Sequence, residues 1–530
     1  MLGASVAQVA CKRPVREIPG SIRGASHAVG HKLKDLPSLG EPSVTVRVPV
    51  VIVGAGPSGL SAAWRLRRLG EERVVVLDLE ATEGGTSSFG DDGVVPYPWG
   101  AHYVPAPRKE HTALVTLLRE LGAITGEDRS GNLVFAEDML VRDPEERVFH
   151  RGVWYDGLYL KAGASDDDLA QLARFQNEIS RFVSFRDTKG RRAFDIPMEH
   201  ATDDSEITSL DRITMSQWLE QHGFTSSRLK WLVDYACRDD YGLHVESTSA
   251  WAGLFYFASR VSGPGDEAAD LFAWPQGNGR VVQHLSSSCP GVVRARRLVV
   301  DVATFDDHAE VIAFDLEANR VEKYMAERVI YAAPKFLAPR VLRSFREQRP
   351  SWVDQMVYGP WMVANLHMSA HPTSRGVPIA WDNVLYDSPS LGYVVATHQT
   401  MVDEGPTVLT YYYPYAQDDA KKARETLLST EHAAFVELIL ADMAPAHKGF
   451  LPLVQRIDVW RWGHAMVQPR PGLVWGGTRQ RATQAVGRIH MAHSDLSGLA
   501  LLEEALHHGV RAAEEVYEKL YPNRTWTRLG

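Results

Sequence analysis

The feature that most narrows the fold is a run of six residues, Gly54-Ala55-Gly56-Pro57-Ser58-Gly59, together with what flanks it. Before it, Val48 to Val53 (VPVVIV) is a short run rich in β-branched residues, the composition of a strand buried on both faces of a parallel sheet. After it, Leu60, Ala63, Leu66 and Leu69 recur at helical spacing with arginines on the opposite side, and Gly70 ends the run. Val74 to Leu77 (VVVL) reads as a second buried strand, with Asp78 at its carboxyl end. Strand, G-x-G-x-x-G turn, helix and a second strand closed by an acid make a βαβ unit of the kind that holds a dinucleotide. Gly54 permits the tight turn, Gly56 lets the backbone approach a pyrophosphate, and Gly59 lets helix and strand close on each other. Pro57 and Ser58 open the helix, whose amino terminus faces the negative charge, and Asp78 is placed to grip a ribose hydroxyl.

At 530 residues the chain exceeds what a single core holds. Its 45% hydrophobic and 23% charged residues are ordinary globular usage, and a net charge of -9 spread along the chain argues against a nucleic-acid partner. Three cysteines, Cys11, Cys237 and Cys289, are too few and too far apart for a disulfide framework or a metal site, so no metal is expected. No stretch approaches the roughly 18 apolar residues that a membrane-spanning helix needs. The opening, Met1 to Cys11, is small and apolar and is followed by Lys12 and Arg13. It resembles the tail of a bacterial lipoprotein or twin-arginine export signal lacking its basic front end, although Gln8 departs from the lipoprotein pattern. That resemblance implies a periplasmic or lipid-anchored protein; the alternative is a disordered amino terminus on a cytoplasmic one.

Along the chain the pattern is α/β. Residues 1–43 read as an extended arm or the remnant of an export signal. Residues 44–110, 274–342 and 462–520 read as one discontinuous domain of Rossmann type. Two insertions, 111–273 and 343–461, supply a substrate domain. The first insertion is amphipathic and aromatic-rich and is expected to be helical, notably over Asp168 to Phe185 and Ser216 to Tyr256. The second alternates aromatic and β-branched residues (TVLTYYYPY) and is expected to form an antiparallel or mixed sheet.

The run from Val50 to Gly85, with the second glycine pair Gly84-Gly85-Thr86 and the later Pro98-Trp99-Gly100-Ala101-His102-Tyr103, resembles the flavin-containing amine oxidase superfamily. That superfamily includes monoamine and polyamine oxidases, protoporphyrinogen oxidase and phytoene desaturase. The resemblance continues in Trp274 to Gly279 (WPQGNG) and in Met491 to Ala513. It implies FAD, with Gly85 and Thr86 at a pyrophosphate or flavin contact, Gly100, Ala101, His102 and Tyr103 against the isoalloxazine, Val299 meeting the adenine through its backbone, and Asp495 and Gly498 at the last cofactor contact. Thr86 stands where relatives usually have arginine. The run Trp361 to Met368 lacks the flavin-side lysine of many amine oxidases, and no cysteine follows Cys289, so the resemblance implies FAD held noncovalently.

Flavin carries the redox chemistry, so the protein supplies position, a dry pocket and tuned electrostatics. Arg238-Asp239-Asp240-Tyr241-Gly242 is the densest charged group in an apolar stretch. Asp239 or Asp240, with Tyr241 beside them, would anchor a cationic substrate or tune a proton; the alternative is a salt bridge from Arg238 that joins two helices. Tyr412, Trp462 and His464 fall where the superfamily brings aromatic residues toward flavin, and aromatic walls hold amines by cation–π contact. The expected activity is oxidation of a C–N bond of a small amine, with oxygen or another acceptor taking the electrons. Desaturation or porphyrinogen-type oxidation at C–C is the alternative enzyme reading, and a non-catalytic flavoprotein is the alternative from another class.

Overall fold

The computed structural model describes residues 17–34, 40–261, 263 and 270–529. The expected strand and helix are present as Val44–Val53 and Pro57–Arg68, followed by the strand Val74–Leu77. These three elements belong to a seven-stranded mixed sheet. Val44–Val53 lies at its centre, parallel to Val74–Leu77 on one side and to Arg320–Tyr331 on the other. Beyond Arg320–Tyr331 the chain folds back antiparallel through Ala309–Asp315 and Arg297–Thr304, and Ile489–Met491 adds in parallel beside Arg320–Tyr331. The central strands are buried on both faces, which is why they read as unbroken apolar runs.

The last helix, Leu502–Leu520, packs across Pro57–Arg68. Gly509 makes that crossing possible, because a Cβ there would stand 2.2 Å from the Ser58 carbonyl oxygen. The two helices and one sheet face enclose a common core that includes Val50, Ile52, Leu60, Leu66, Leu506, Val510 and Val516.

A second sheet has eight strands, in the order Ile22–Gly24, Val454–Val467, Tyr358–Met368, Thr407–Pro414, Gly392–Val395, Asp382–Leu385, Glu146–His150 and Val153–Asp156. The long strands Tyr358–Met368, Thr407–Pro414 and Val454–Val467 are antiparallel neighbours, as their alternation suggests. Two expectations are corrected here. The amino-terminal segment is not a bare arm over its described part, since Ile22–Gly24 pairs in parallel with Val459 to Arg461 and Ile18 is buried against the same sheet. Three residues of strand give too short a period to stand out in a glycine-, serine- and histidine-rich stretch. The first insertion is not wholly helical either: Glu146–His150 and Val153–Asp156 form a hairpin on the far edge of this sheet. Cys11 and the export-like segment lie outside the described residues.

The helical part of the first insertion holds Asp166–Ser184, Met215–Gln221, Ser227–Tyr241 and Ala250–Ala258. Ser165 and Asp168 cap the first through a reciprocal capping box, and Gly242, at φ +57°, ends the third. Among the described residues no helix is long and apolar enough to cross a membrane.

Candidate active site

The two glycine turns face each other. Gly54 has φ +105°, and a Cβ there would crowd the Ala332 backbone at 3.1 Å, so the turn needs glycine. A Cβ on Gly59 would meet the Gly54 carbonyl oxygen at 1.9 Å, which ties the helix start directly to the turn. A Cβ on Gly56 would meet nothing within 4 Å, so its backbone faces open space, as close approach of a ligand requires. Opposite it, Gly84 and Gly85 both have positive φ, the Gly84 N–H donates to the Ala55 carbonyl at 2.9 Å, and a Cβ on Gly85 would lie 3.7 Å from the Gly56 Cα. The open amino terminus of Pro57–Arg68 points into this cradle.

Asp78 stands at the end of its strand as expected. Its carboxylate accepts the N–H of Ala55 at 2.5 Å and that of Glu80 at 2.8 Å, so it also fixes the first turn. Burial pushes its pKa up to about 6, against the lowering effect of these two hydrogen bonds. The Arg297 N–H donates to the Asp78 carbonyl at 2.7 Å, which brings the strand carrying Val299 alongside. Between Val299 and Asp301 the ladder slips register, an irregularity that releases backbone groups from pairing.

From the second turn the chain runs to Gly100 and Ala101. Ala101 donates its N–H to the Thr86 carbonyl at 3.0 Å, and a Cβ on Gly100 would strike that oxygen at 2.3 Å. These residues open onto a cleft between the two sheets and the helical insertion, about 820 Å³ of atom-free space counting its solvent-open part. Thr86, Gly100, Ala101, His102, Asp239, Asp240, Tyr412 and Trp462, widely separated in sequence, all line it. Tyr412 donates its hydroxyl to the Gly100 carbonyl at 2.8 Å, and Trp462 Nε1 donates to the Trp99 carbonyl at 2.6 Å. His102 stacks obliquely on Tyr412, with ring centroids 4.7 Å apart, and burial takes its pKa down to about 4, so it is a neutral imidazole at physiological pH.

The acidic pair resolves differently from the expected salt bridge. Arg238 turns away to Asp234 and to the carbonyls of Pro389 and Ser390. The partner of Asp240 is Arg260, whose Nη2 lies 2.9 and 3.1 Å from the two carboxylate oxygens. The Tyr103 hydroxyl also reaches Asp240, at 3.5 Å. Asp239 has no hydrogen bond or ion pair among the described residues; burial and the neighbouring Asp240 charge push its pKa up, with Arg260 opposing.

Four expected site residues lie away from both the glycine turns and the cleft. Tyr241 is fully buried in the helical core and donates to the Ala252 carbonyl, because its helix turns it away from its two acidic neighbours. His464 stacks on Phe336 with ring centroids 4.0 Å apart. Asp495 accepts the Lys335 N–H at 2.9 Å and the Tyr358 hydroxyl at 2.8 Å, and Gly498, at φ +71°, closes the turn after it. Asp495 therefore braces the strand ends under the cleft, and despite its burial the charge of His493 helps hold its pKa at about 2. Sequence reasoning missed Arg260, Asn278, Trp361 and Glu503. A single arginine closing the apolar run AWAGLFYFAS was the one available signal for Arg260. Glu503 in a helix's first turn reads as a routine dipole partner.

These missed residues bear on what the cleft holds. Arg260 Nε, Asn278 Oδ1, Trp361 Nε1 and Glu503 Oε1 are buried without a hydrogen-bond partner among the described residues, in a cleft whose lining includes Thr86, the residue after the second glycine turn. Unpaired donors and acceptors beside a backbone cradle fit a large polar ligand such as FAD.

Residues 52–121 match the NAD(P)-binding Rossmann-like domain family. Over 89% of its length the chain is 21% identical to 75% of the oxidoreductase PigB of Serratia sp.. Its fold is similar to that of putrescine oxidase bound to putrescine, with TM-score 0.65, 18% identity, and 89% of this chain and 99% of that one covered. It is also similar to cyclohexylamine oxidase from Brevibacterium oxydans, with TM-score 0.62, 15% identity, and 89% and 99% covered. A fatty acid isomerase from P. acnes is alike to nearly the same degree, at TM-score 0.62, 14% identity, and 89% and 98% covered, so fold alone does not choose a reaction. The chain thus carries a Rossmann-like dinucleotide-binding segment within a fold that it shares with these enzymes.

Proposed function

We propose that the chain is an FAD-dependent oxidoreductase that oxidises the C–N bond of a small amine. The backbone from Gly54 to Gly59, with the helix amino terminus behind it, would hold the pyrophosphate, Asp78 a ribose hydroxyl, and Gly85, Thr86, Gly100 and Ala101 the ring system. When bound, FAD supplies a two-electron acceptor for the hydride that leaves the carbon beside nitrogen.

The observation that carries the amine reading is the charge of the cleft. Asp239, Asp240 and Glu503 line it against one guanidinium, Arg260, and Asp239 has no partner of its own among the described residues. An ionised carboxylate left unpaired in a closed site is costly, and an ammonium group relieves that cost. Trp361, Tyr412 and Trp462 give the cation aromatic faces and exclude water around it. The anchored Tyr412 hydroxyl and Trp462 indole hold the wall in one geometry before substrate arrives. An apolar tunnel suited to a carotenoid or porphyrin would lack these carboxylates. The alikeness in fold to oxidases of putrescine and cyclohexylamine supports the same reading.

The test is anaerobic mixing of the flavin-loaded protein with a panel of monoamines and polyamines. Bleaching of the flavin absorbance by at least one amine is expected, and no bleaching with any of them contradicts the reading.

A further inference from the structure

Leu502–Leu520 carries two buried ionisable side chains to which the amine reading assigns no proton transfer. Glu503, in its first turn, lines the aromatic cleft and also a second, small cavity of about 20 Å³, room for about one water molecule. His507 comes four residues later on the same helical face and lines the second cavity, together with His111 and His200. Exposed Thr112 and half-buried Leu529 also line this cavity, so it reaches the protein surface. Glu503 is 7% exposed and His507 6%. Yet Glu503 Oε1 and His507 Nε2 have no hydrogen-bond partner among the described residues. Burying two polar atoms unpaired, one helical turn apart, in a wall between cleft and surface is costly unless each has a transient partner.

We propose that Glu503 and His507 form a proton path from the cleft to the surface, with the small cavity as its exit. The path rests on the amine reading only for the origin of the proton. An amine enters as R–CH2–NH3+, and its nitrogen must shed a proton before the neighbouring carbon gives up a hydride. One N–H bond breaks as the Glu503 carboxylate takes the proton, leaving R–CH2–NH2 and a neutral carboxylic acid. That acid passes its proton to Nε2 of neutral His507, which restores the carboxylate and forms an imidazolium. The imidazolium gives a proton to solvent in the small cavity and returns to its starting state. No electrons move, and charge balances at each step.

The surroundings suit these roles. Burial raises the Glu503 pKa while Arg260 opposes it and Asp240 adds to it; Glu504 is a further acid on the same helix. Burial, with Arg511 and His200 acting in the same sense, lowers that of His507 to about 3, and His508 stands beside it on the helix. His507 therefore rests neutral with Nε2 able to accept, and its charged form is short-lived, so protons pass through rather than collect.

The flavin-loaded protein tests this in two arms. Without amine, infrared titration isolates the C=O stretch of protonated carboxyl groups, and the band absent from Glu503→Gln is followed during exchange from H2O into D2O. Exchange is expected to slow by about tenfold or more in His507→Phe and in His507→Gln, the second of which keeps polar atoms without a titrating proton. Equal exchange rates in the wild type and both variants, or no band missing from Glu503→Gln, overturn the path. With amine, a dye in weak buffer reports proton release while flavin absorbance reports bleaching. The two should coincide in the wild type and separate in His507→Phe, with release lagging; coincidence in the variant overturns the path. Failure of the amine reading is distinct, because no protein bleaches while the first arm still gives its answer.

Discussion

Arg260 grips both oxygens of Asp240, at 2.9 and 3.1 Å, while the adjacent Asp239 carboxylate has no partner among the described residues. The pair is 11% and 4% exposed, so neither charge has water to fall back on. Arg260→Met strands a buried carboxylate and is expected to lower stability by about 3–5 kcal/mol, the usual result of removing one partner from a buried ion pair. Chemical denaturation measures it. The double variant Arg260→Met/Asp240→Leu should recover most of that loss, since the uncompensated charge is then gone.

Asp239 is assigned the task of holding the substrate cation. Asp239→Asn should leave flavin content unchanged and weaken amine binding by about 2 kcal/mol or more, roughly thirtyfold. Binding in the wild type should also depend on pH with a definite sign. Burial and Asp240 raise the Asp239 pKa, so the carboxylate ionises above the ordinary carboxylate range and amine affinity climbs as pH rises through that point. The asparagine variant should show no such rise. Affinity titrations across pH by flavin perturbation supply both numbers.

Gly56 and Gly59 should separate cofactor binding from folding. A side chain at Gly56 points into open space, so Gly56→Val is expected to fold with nearly normal stability and to lose its flavin. At Gly59 even alanine collides with the Gly54 carbonyl oxygen, so Gly59→Ala should disturb the turn and lower stability as well. Thermal unfolding and the flavin-to-protein absorbance ratio distinguish the two outcomes.

Lys335 predicts a pH-dependent stability. Its side chain is fully buried, and Nζ donates to the carbonyls of Tyr331, Ala333 and Ala492 at 3.1, 2.9 and 2.7 Å. Burial takes its pKa down to about 7, with Asp495 opposing. An unfolded lysine titrates near 10.4, so between about pH 7 and pH 10 the unfolded chain binds more protons and this group adds stability as pH rises. Lys335→Met should lose that slope. It should also be less stable at every pH, because buried carbonyls lose their donor. Denaturant midpoints at several pH values check both.

Much of the fold could be read from local periodicity. The fingerprint, its helix and Asp78 form one continuous segment in which each glycine answers to a local geometric need, and the long aromatic strands carry a clear period of two. What escaped reading depended on single side chains meeting across distant segments. Asp239 and Asp240 are adjacent, yet one faces the cleft unpaired and the other meets an arginine 20 positions away. Tyr241, the next residue, enters the helical core because each helical step turns the side chain by about 100°. The strand Ile22–Gly24 and the hairpin from Glu146 to Asp156 are short and half-buried, so their pairing comes from the sheet they join rather than from their own composition.

The absorbance spectrum of the purified protein tests the central claim most directly. A flavin band that survives gel filtration and is released intact by denaturation is expected, and it should be absent from Gly56→Val. A folded wild-type protein that is colourless and stays so after incubation with FAD would contradict the account at its foundation.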